Sequence, residues 1–292
     1  MNWLIRFWTI IRSYFFHFLP VSRPRFWMYV LWPYLIGLGS TGLFSSIDQI
    51  IWWWSFVSIL FLVYFTFPAN LLIYGINDIF DRQTDLLNPK KTWYETQLDP
   101  SYYQWLRISI AIVNLPLLLF VILPNWESYI ALIIFWLASI WYSAPPLRAK
   151  AKPVVDTIVS ALIYTMPWLI WYYVWWWDNV SWMAIGAAIV WSMWMHAYSA
   201  IPDIQADTDA GIDTVATLYG RKWTLWFGRI CVLLAIMLAL PTLWVWSIIL
   251  WSVYLIMIIR SFTHDISKLY RWFPWINTIV WFVLLVYIVI GK

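Results

Sequence analysis

The chain has 292 residues, of which 63% are hydrophobic and 11% charged, and its mean hydropathy is +0.72, outside the range of soluble globular domains. It is long enough for about eight to ten membrane-spanning helices of roughly 20 residues each. A net charge of +4 gives no nucleic-acid footprint, and the single cysteine, Cys231, excludes an internal disulfide framework.

Residues 1–25 hold apolar stretches broken by Arg6 and Arg12, with no small-residue cleavage site. They predict a cytoplasmic, interfacial segment rather than a signal peptide. Charge-poor apolar runs then predict nine transmembrane helices, near 26–45, 52–76, 104–123, 128–145, 157–177, 181–201, 223–240, 242–260 and 273–290. Runs this long, without apolar–polar alternation, satisfy their backbone groups as helices rather than as a barrel. With the N-terminus inside, every basic residue except Lys292 falls on an inner segment or an inner span end. The positive-inside rule therefore sets the orientation and supports the count. The outer connections carry little beyond Asp48, Asn125, Glu127 and Asp178. The expectation is an all-α, multi-pass protein of the cell membrane, one domain over 1–292 with its helices in 26–290 and its N-terminus cytoplasmic.

At the inner end of the second span stands Asn77-Asp78-Ile79-Phe80-Asp81-Arg82-Gln83-Thr84-Asp85, with Asn88 behind it. Unpaired carboxylates near lipid are expensive, and acidic groups there mark functional sites. On a helix Asp78, Asp81 and Asp85 share a face, bordered by Asn77, and Asn70 and Tyr74 extend it toward the membrane interior. Carboxylates so spaced repel one another. A divalent cation relieves the repulsion, and Mg²⁺ favours oxygen ligands and phosphate.

After the fourth span, residues 142–156 offer Tyr142, Ser143, Arg148, Lys150 and Lys152. Arg grips phosphate with two parallel hydrogen bonds, and Lys acts as a point charge. Lys90, Lys91, Arg221 and Lys222 are further candidates, although the positive-inside rule alone accounts for basic residues here.

After the sixth span, Asp203 and Asp207 stand at i and i+4. Asp209 and Asp213 repeat that spacing, with Gly211 predicted to break the helix between them. His196 lies two turns before Asp203 on the same face, where it lines a chamber or bonds a neighbouring backbone group. For either acidic cluster alone, a solvated loop end is the plain alternative. Two clusters on one membrane side predict a two-metal clamp around a diphosphate, with Asn77, Asp78, Asp81, Asp85, Asp203 and Asp207 as ligands.

Together these motifs resemble the UbiA family of intramembrane prenyltransferases. Its N-D-x-x-D-x-x-x-D element after the second span is matched by Asn77, Asp78, Asp81 and Asp85, and its D-x-x-x-D element after the sixth by Asp203 and Asp207. Its Y-S-x-P-P-x-R-x-K segment after the fourth span is matched by residues 142–150, with Pro153 and Asp156 also in place. Ser22-Arg23-Pro24 resembles the family's approach to the first span.

The resemblance implies nine helices around a central cavity. It implies two Mg²⁺ ions, held by both acidic motifs on the diphosphate of an isoprenoid donor. The donor ionises to an allylic cation, and a π-bond of a lipophilic acceptor attacks it. On this reading Asp78, Asp81, Asp203, Asp207 and Tyr142 are catalytic. Asn77, Asn70, Tyr74, Ser143, Arg148, Lys150, Lys90, Lys91 and His196 contact substrate.

Within the family, residues 68–81 and 85–91, with 201–207, 210–211 and 214–217, resemble the lycopene elongases, the branch that adds C5 units from dimethylallyl diphosphate to the ends of lycopene. Lys91-Thr92 replaces the basic-Pro pair of many quinone-type members, and Asp213 stands where a basic residue often precedes threonine. The expected activity is Mg²⁺-dependent transfer of a C5 group to lycopene or a related carotenoid, in C45/C50 carotenoid biosynthesis. An aromatic quinone precursor is the alternative acceptor, and a cation-coupled transporter the alternative class. Against transport, the carboxylates sit at inner span ends rather than mid-membrane, and no broken helices recur in two halves. Residues 92–100, Asp209 and Asp213 are assigned no role.

Overall fold

A computed structural model describes residues 16–41, 52–87, 98–120, 123–175 and 180–290. All regular structure among them is helical. In chain order the helices are α1 (Met28–Ser40), α2 (Trp52–Tyr64), α3 (Phe67–Phe80), α4 (Arg82–Leu87), α5 (Tyr103–Phe120) and α6 (Trp126–Ser143). There follow α7 (Val155–Trp175), α8 (Trp182–Ala200), α9 (Ile204–Asp209), α10 (Val215–Leu243), α11 (Val245–Arg260) and α12 (Ile266–Ile290). Every predicted span contains a helix.

Among the described residues, five stretches are long and apolar enough to cross a membrane: Phe56–Phe80, Val155–Val174, Trp182–Asp209, Val215–Leu243 and Ile266–Ile290. Their outer faces are apolar, as at Ile230, Leu233 and Met237 of α10 and Trp275, Ile279 and Phe282 of α12, all well exposed. Such a surface suits lipid rather than water.

The second predicted span is two helices rather than one. Pro68 lacks the N–H that would continue the helix, and the chain breaks at Phe65 and Thr66. Buried amides take up the freed carbonyls. Asn70 Nδ2 donates to the carbonyls of Phe65 (3.1 Å) and Thr66 (2.6 Å), and Asn114 Nδ2 of α5 donates to that of Pro68 (3.1 Å).

Helix α7 is the hub, packing against α1, α6 and α8. It lies very close to α1, because a Cβ on Gly37 would stand 2.6 Å from the Trp168 carbonyl oxygen. Gly228 of α10 likewise makes room for the Trp194 ring of α8. One apolar core surrounds Phe61, Phe65, Phe135 and Trp171, and a second surrounds Trp191, Trp194, Tyr254 and Phe273. Helix α1 touches both halves through α7 and α12. At one end of the bundle the short helices α4 and α9 meet, which brings the two acidic motifs together.

Candidate active site

Asp78 and Asp81 occupy the end of α3, and both are almost wholly buried. A carboxylate withdrawn from water loses several kcal/mol of hydration, so each needs charge or hydrogen bonds in exchange. Arg23, from the turn before α1, reaches Asp78 Oδ1 at 2.8 Å. Its guanidinium also lies 4.6 Å from the centre of the Tyr74 ring. Arg23 adopts the left-handed φ of 51°, an uncommon conformation for a residue with a Cβ. Lys150, buried in the turn Ala149–Ala151, pairs with Asp81. Asn77 Nδ2 donates to Asp81 Oδ2 and to Ser143 Oγ, the latter at 3.1 Å. The Asp85 N–H donates to the Asp81 carbonyl (2.8 Å), so the helical register survives the break after α3.

In the second motif, Asp203 closes the turn Ile201–Asp203, and Asp207 follows one helical turn later in α9. Gly211, at φ 66°, lies beyond the end of α9, as its place in the sequence predicts. Thr214 and Thr217 then form a capping box that starts α10.

Asn77, Asp81, Asp85, Asp203 and Asp207 line one cavity of about 240 Å³, together with Arg23 and Lys150. Rings of Phe26, Tyr29, Tyr74, Tyr142 and Tyr164 form much of its remaining wall. The donor set is all oxygen, which fits Mg²⁺. Among the described residues no three carboxylates converge into a cage. An ion that keeps several waters and binds one or two carboxylates plus phosphate does not need one.

Tyr74, Tyr142 and His196 line this cavity, with Asp78 buried behind Arg23 and Ser143 bonded to Asn77. His196 Nε2 lies 3.4 Å from the Tyr142 hydroxyl and 3.8 Å from Asp156 Oδ2. Three expected roles change. Asn70 serves the α2–α3 break and does not line the cavity. Arg148 faces outward at φ 41°, while Lys150 two residues later turns in. Arg221 donates to the carbonyls of Ser261 (2.6 Å) and His264 (2.7 Å) near the end of α11. Asn88, Lys90 and Lys91 lie outside the described residues.

Sequence reasoning missed the pairing of Arg23 with Asp78. The partners are 55 residues apart, and a basic residue before the first span looks like any other positive-inside charge. It also missed Tyr164, which lies within a continuous apolar span with nothing to distinguish it.

A second cavity, of about 600 Å³, lies between α1, α7, α8, α10, α11 and α12. Its walls are mainly apolar and aromatic, with Trp168, Trp191, Trp251, Tyr254 and Trp281 prominent, and Tyr164 lines both cavities.

A model of the UbiA prenyltransferase family matches residues 30–271. The chain belongs to the UbiA prenyltransferase family. Lycopene elongase/hydratases of Haloarcula japonica and Haloferax volcanii are 36% and 33% identical to it, over 90% and 89% of this chain and 88% and 84% of theirs. That of Corynebacterium glutamicum is 33% identical over 74% of each chain. A UbiA homologue of Archaeoglobus fulgidus bound to GPP and Mg²⁺ superposes with a TM-score of 0.69 at 17% identity, over 94% of this chain and 99% of its own. The same homologue bound to DMAPP and Mg²⁺ gives 0.64. This likeness establishes the UbiA fold, and family membership makes the protein a prenyltransferase.

Proposed function

We propose that this UbiA prenyltransferase moves a dimethylallyl (C5) group from its diphosphate to an end of lycopene or a related carotenoid, in C45/C50 carotenoid biosynthesis. The observation that carries this reading is the pair of cavities. Carboxylates and cations surround one, aromatic and aliphatic side chains the other, and Tyr164 lines both. A charged donor head and an apolar polyene acceptor need such a pair. The relatives named lycopene elongase/hydratase, 33–36% identical over most of the chain, support the acceptor. The GPP, DMAPP and Mg²⁺ bound by the A. fulgidus homologue support the donor class and the metal.

Asn77, Asp78, Asp81, Asp85, Asp203 and Asp207 would hold two Mg²⁺ ions, one at each motif. When bound, Mg²⁺ offsets the charge that builds on the diphosphate as the donor's C–O bond breaks. Lys150 and Arg23 add fixed positive charge beside the leaving group, with Tyr142 and Ser143 as hydroxyl donors. The faces of Tyr74, Tyr164, Phe26 and Tyr29 stabilise the allylic cation and keep bulk water out. An acceptor double bond then attacks the donor's first carbon. The new C–C bond leaves the positive charge on the neighbouring acceptor carbon.

We place the nine spans in the cell membrane with the N-terminus and the site toward the cytoplasm. Arg23 and Lys150 meet the carboxylates at the end where the sequence concentrates its basic residues. The test is expression in cells that make lycopene, followed by mass determination of the pigments. Gain of one or two C5 units is expected. Unaltered lycopene beside a prenylated quinone precursor would overturn the proposal.

A further inference from the structure

Once the C–C bond has formed, the acceptor carries a carbocation that ends by losing a proton or by capturing water. Both endings require a base. In the polar cavity the acidic motifs are the ones proposed to hold Mg²⁺, and Arg23 and Lys150 are cations paired with Asp78 and Asp81. Among the described residues lining that cavity, His196 is the side chain outside both motifs that carries a basic ring nitrogen.

Its surroundings offer a carboxylate to face the charge that the ring gains when it accepts a proton. Asp156 is fully buried and accepts two backbone N–H groups, from Thr157 (2.7 Å) on Oδ1 and from Val215 (3.0 Å) on Oδ2. These amides belong to the first turns of α7 and α10, where helix dipoles favour negative charge. Backbone donors at two helix starts thus hold the resting anion, and no Lys or Arg pairs with it among the described residues, so its charge is open to a proton gained nearby. With its Nε2 3.8 Å from Asp156 Oδ2, a neutral His196 that takes up a proton during turnover becomes an imidazolium beside that carboxylate. The Tyr142 ring meets the imidazole edge-on, with centroids 5.6 Å apart, and steadies its orientation.

Resting on the carotenoid reading above, we infer that His196 is the proton acceptor of a water-capture step and that Asp156 positions and stabilises it. The oxygen of one water forms a C–O bond with the acceptor cation while an O–H proton passes to His196 Nε2. The product is a tertiary alcohol. The diphosphate has already left, and no oxidant or reductant is needed. The imidazolium facing Asp156 returns its proton to water between turnovers.

The test uses the full-length enzyme in lipid vesicles with dimethylallyl diphosphate, Mg²⁺ and lycopene. It reads the ratio of hydrated to unhydrated products by mass, and diphosphate release beside it. His196→Gln and His196→Asn are each expected to lower that ratio about tenfold or more, the alkene replacing the alcohol as the cation yields its proton elsewhere. A purely structural role lowers both products in proportion. An unchanged ratio in both variants overturns the assignment. So does loss of diphosphate release in both, because the assigned step follows release. A wild-type enzyme that adds C5 units but no water also overturns it. A wild-type enzyme that leaves lycopene unaltered overturns the carotenoid reading, and the assignment with it.

Discussion

The polar cavity is built from the ends of elements, whereas the apolar cavity is built from their middles. Arg23, Lys150 and Asp203 come from turns, and Asp78 and Asp81 from the last residues of a helix. Trp168, Trp191, Trp251 and Trp281 sit within α7, α8, α11 and α12. The difference follows from backbone chemistry. Mid-helix residues have spent their backbone groups on one another and offer only side chains, whereas element ends supply free amides, carbonyls and sharp changes of direction. Charge handling therefore gathers at one rim of the bundle, and bulk apolar recognition fills its interior.

The strongest way to break this division is to remove a carboxylate. Asp78→Ala and Asp203→Ala are each expected to cut diphosphate release about a hundredfold or more at normal expression, since each removes a proposed oxygen ligand. Wild-type turnover in either would dissolve the polar half of the comparison. Chelation of divalent ions should stop release to a similar extent, and added Mg²⁺ should restore it. Release that persists in chelator would count against the metal clamp.

Lys150→Ala is expected to cost about ten- to a hundredfold in donor kcat/KM, with Lys150→Arg recovering part of it, because a single positive charge is replaced by a broader one. Ala188→Phe, which places a ring in the apolar cavity, should raise the acceptor KM about tenfold and move the donor KM less than about twofold. Equal effects on both would show that the cavities do not divide the substrates. The smallest effect belongs to a residue of neither cavity. Asn70→Ala should lower thermal stability in detergent by about 1–3 kcal/mol and leave the donor KM near wild type, because it strands carbonyls at the α2–α3 break.

Much of this was legible in the chain. The helices were readable because long apolar runs in lipid admit few other conformations. The carboxylates were readable because Asp81, Asp203 and Asp207 stand out in such a background. Asn70 misled because it shares the helix and spacing of Asn77, but it stands one turn after the break before Pro68, and its amide is spent on the Phe65 and Thr66 carbonyls there. Arg148 misled for a related reason. In a turn containing two prolines, its left-handed backbone sends it outward and leaves Lys150 to face Asp81. The apolar cavity left no trace, since a tryptophan lining a void and one facing lipid are the same letter.

Asp156 also has a meaning for how the chain is made. Its carboxylate receives the first amide of α10, 59 residues further along. Synthesis proceeds from the N-terminus, so the anchor point for α10 is laid down before α10 itself. The second half of the protein is thus started on a foundation that the first half already carries.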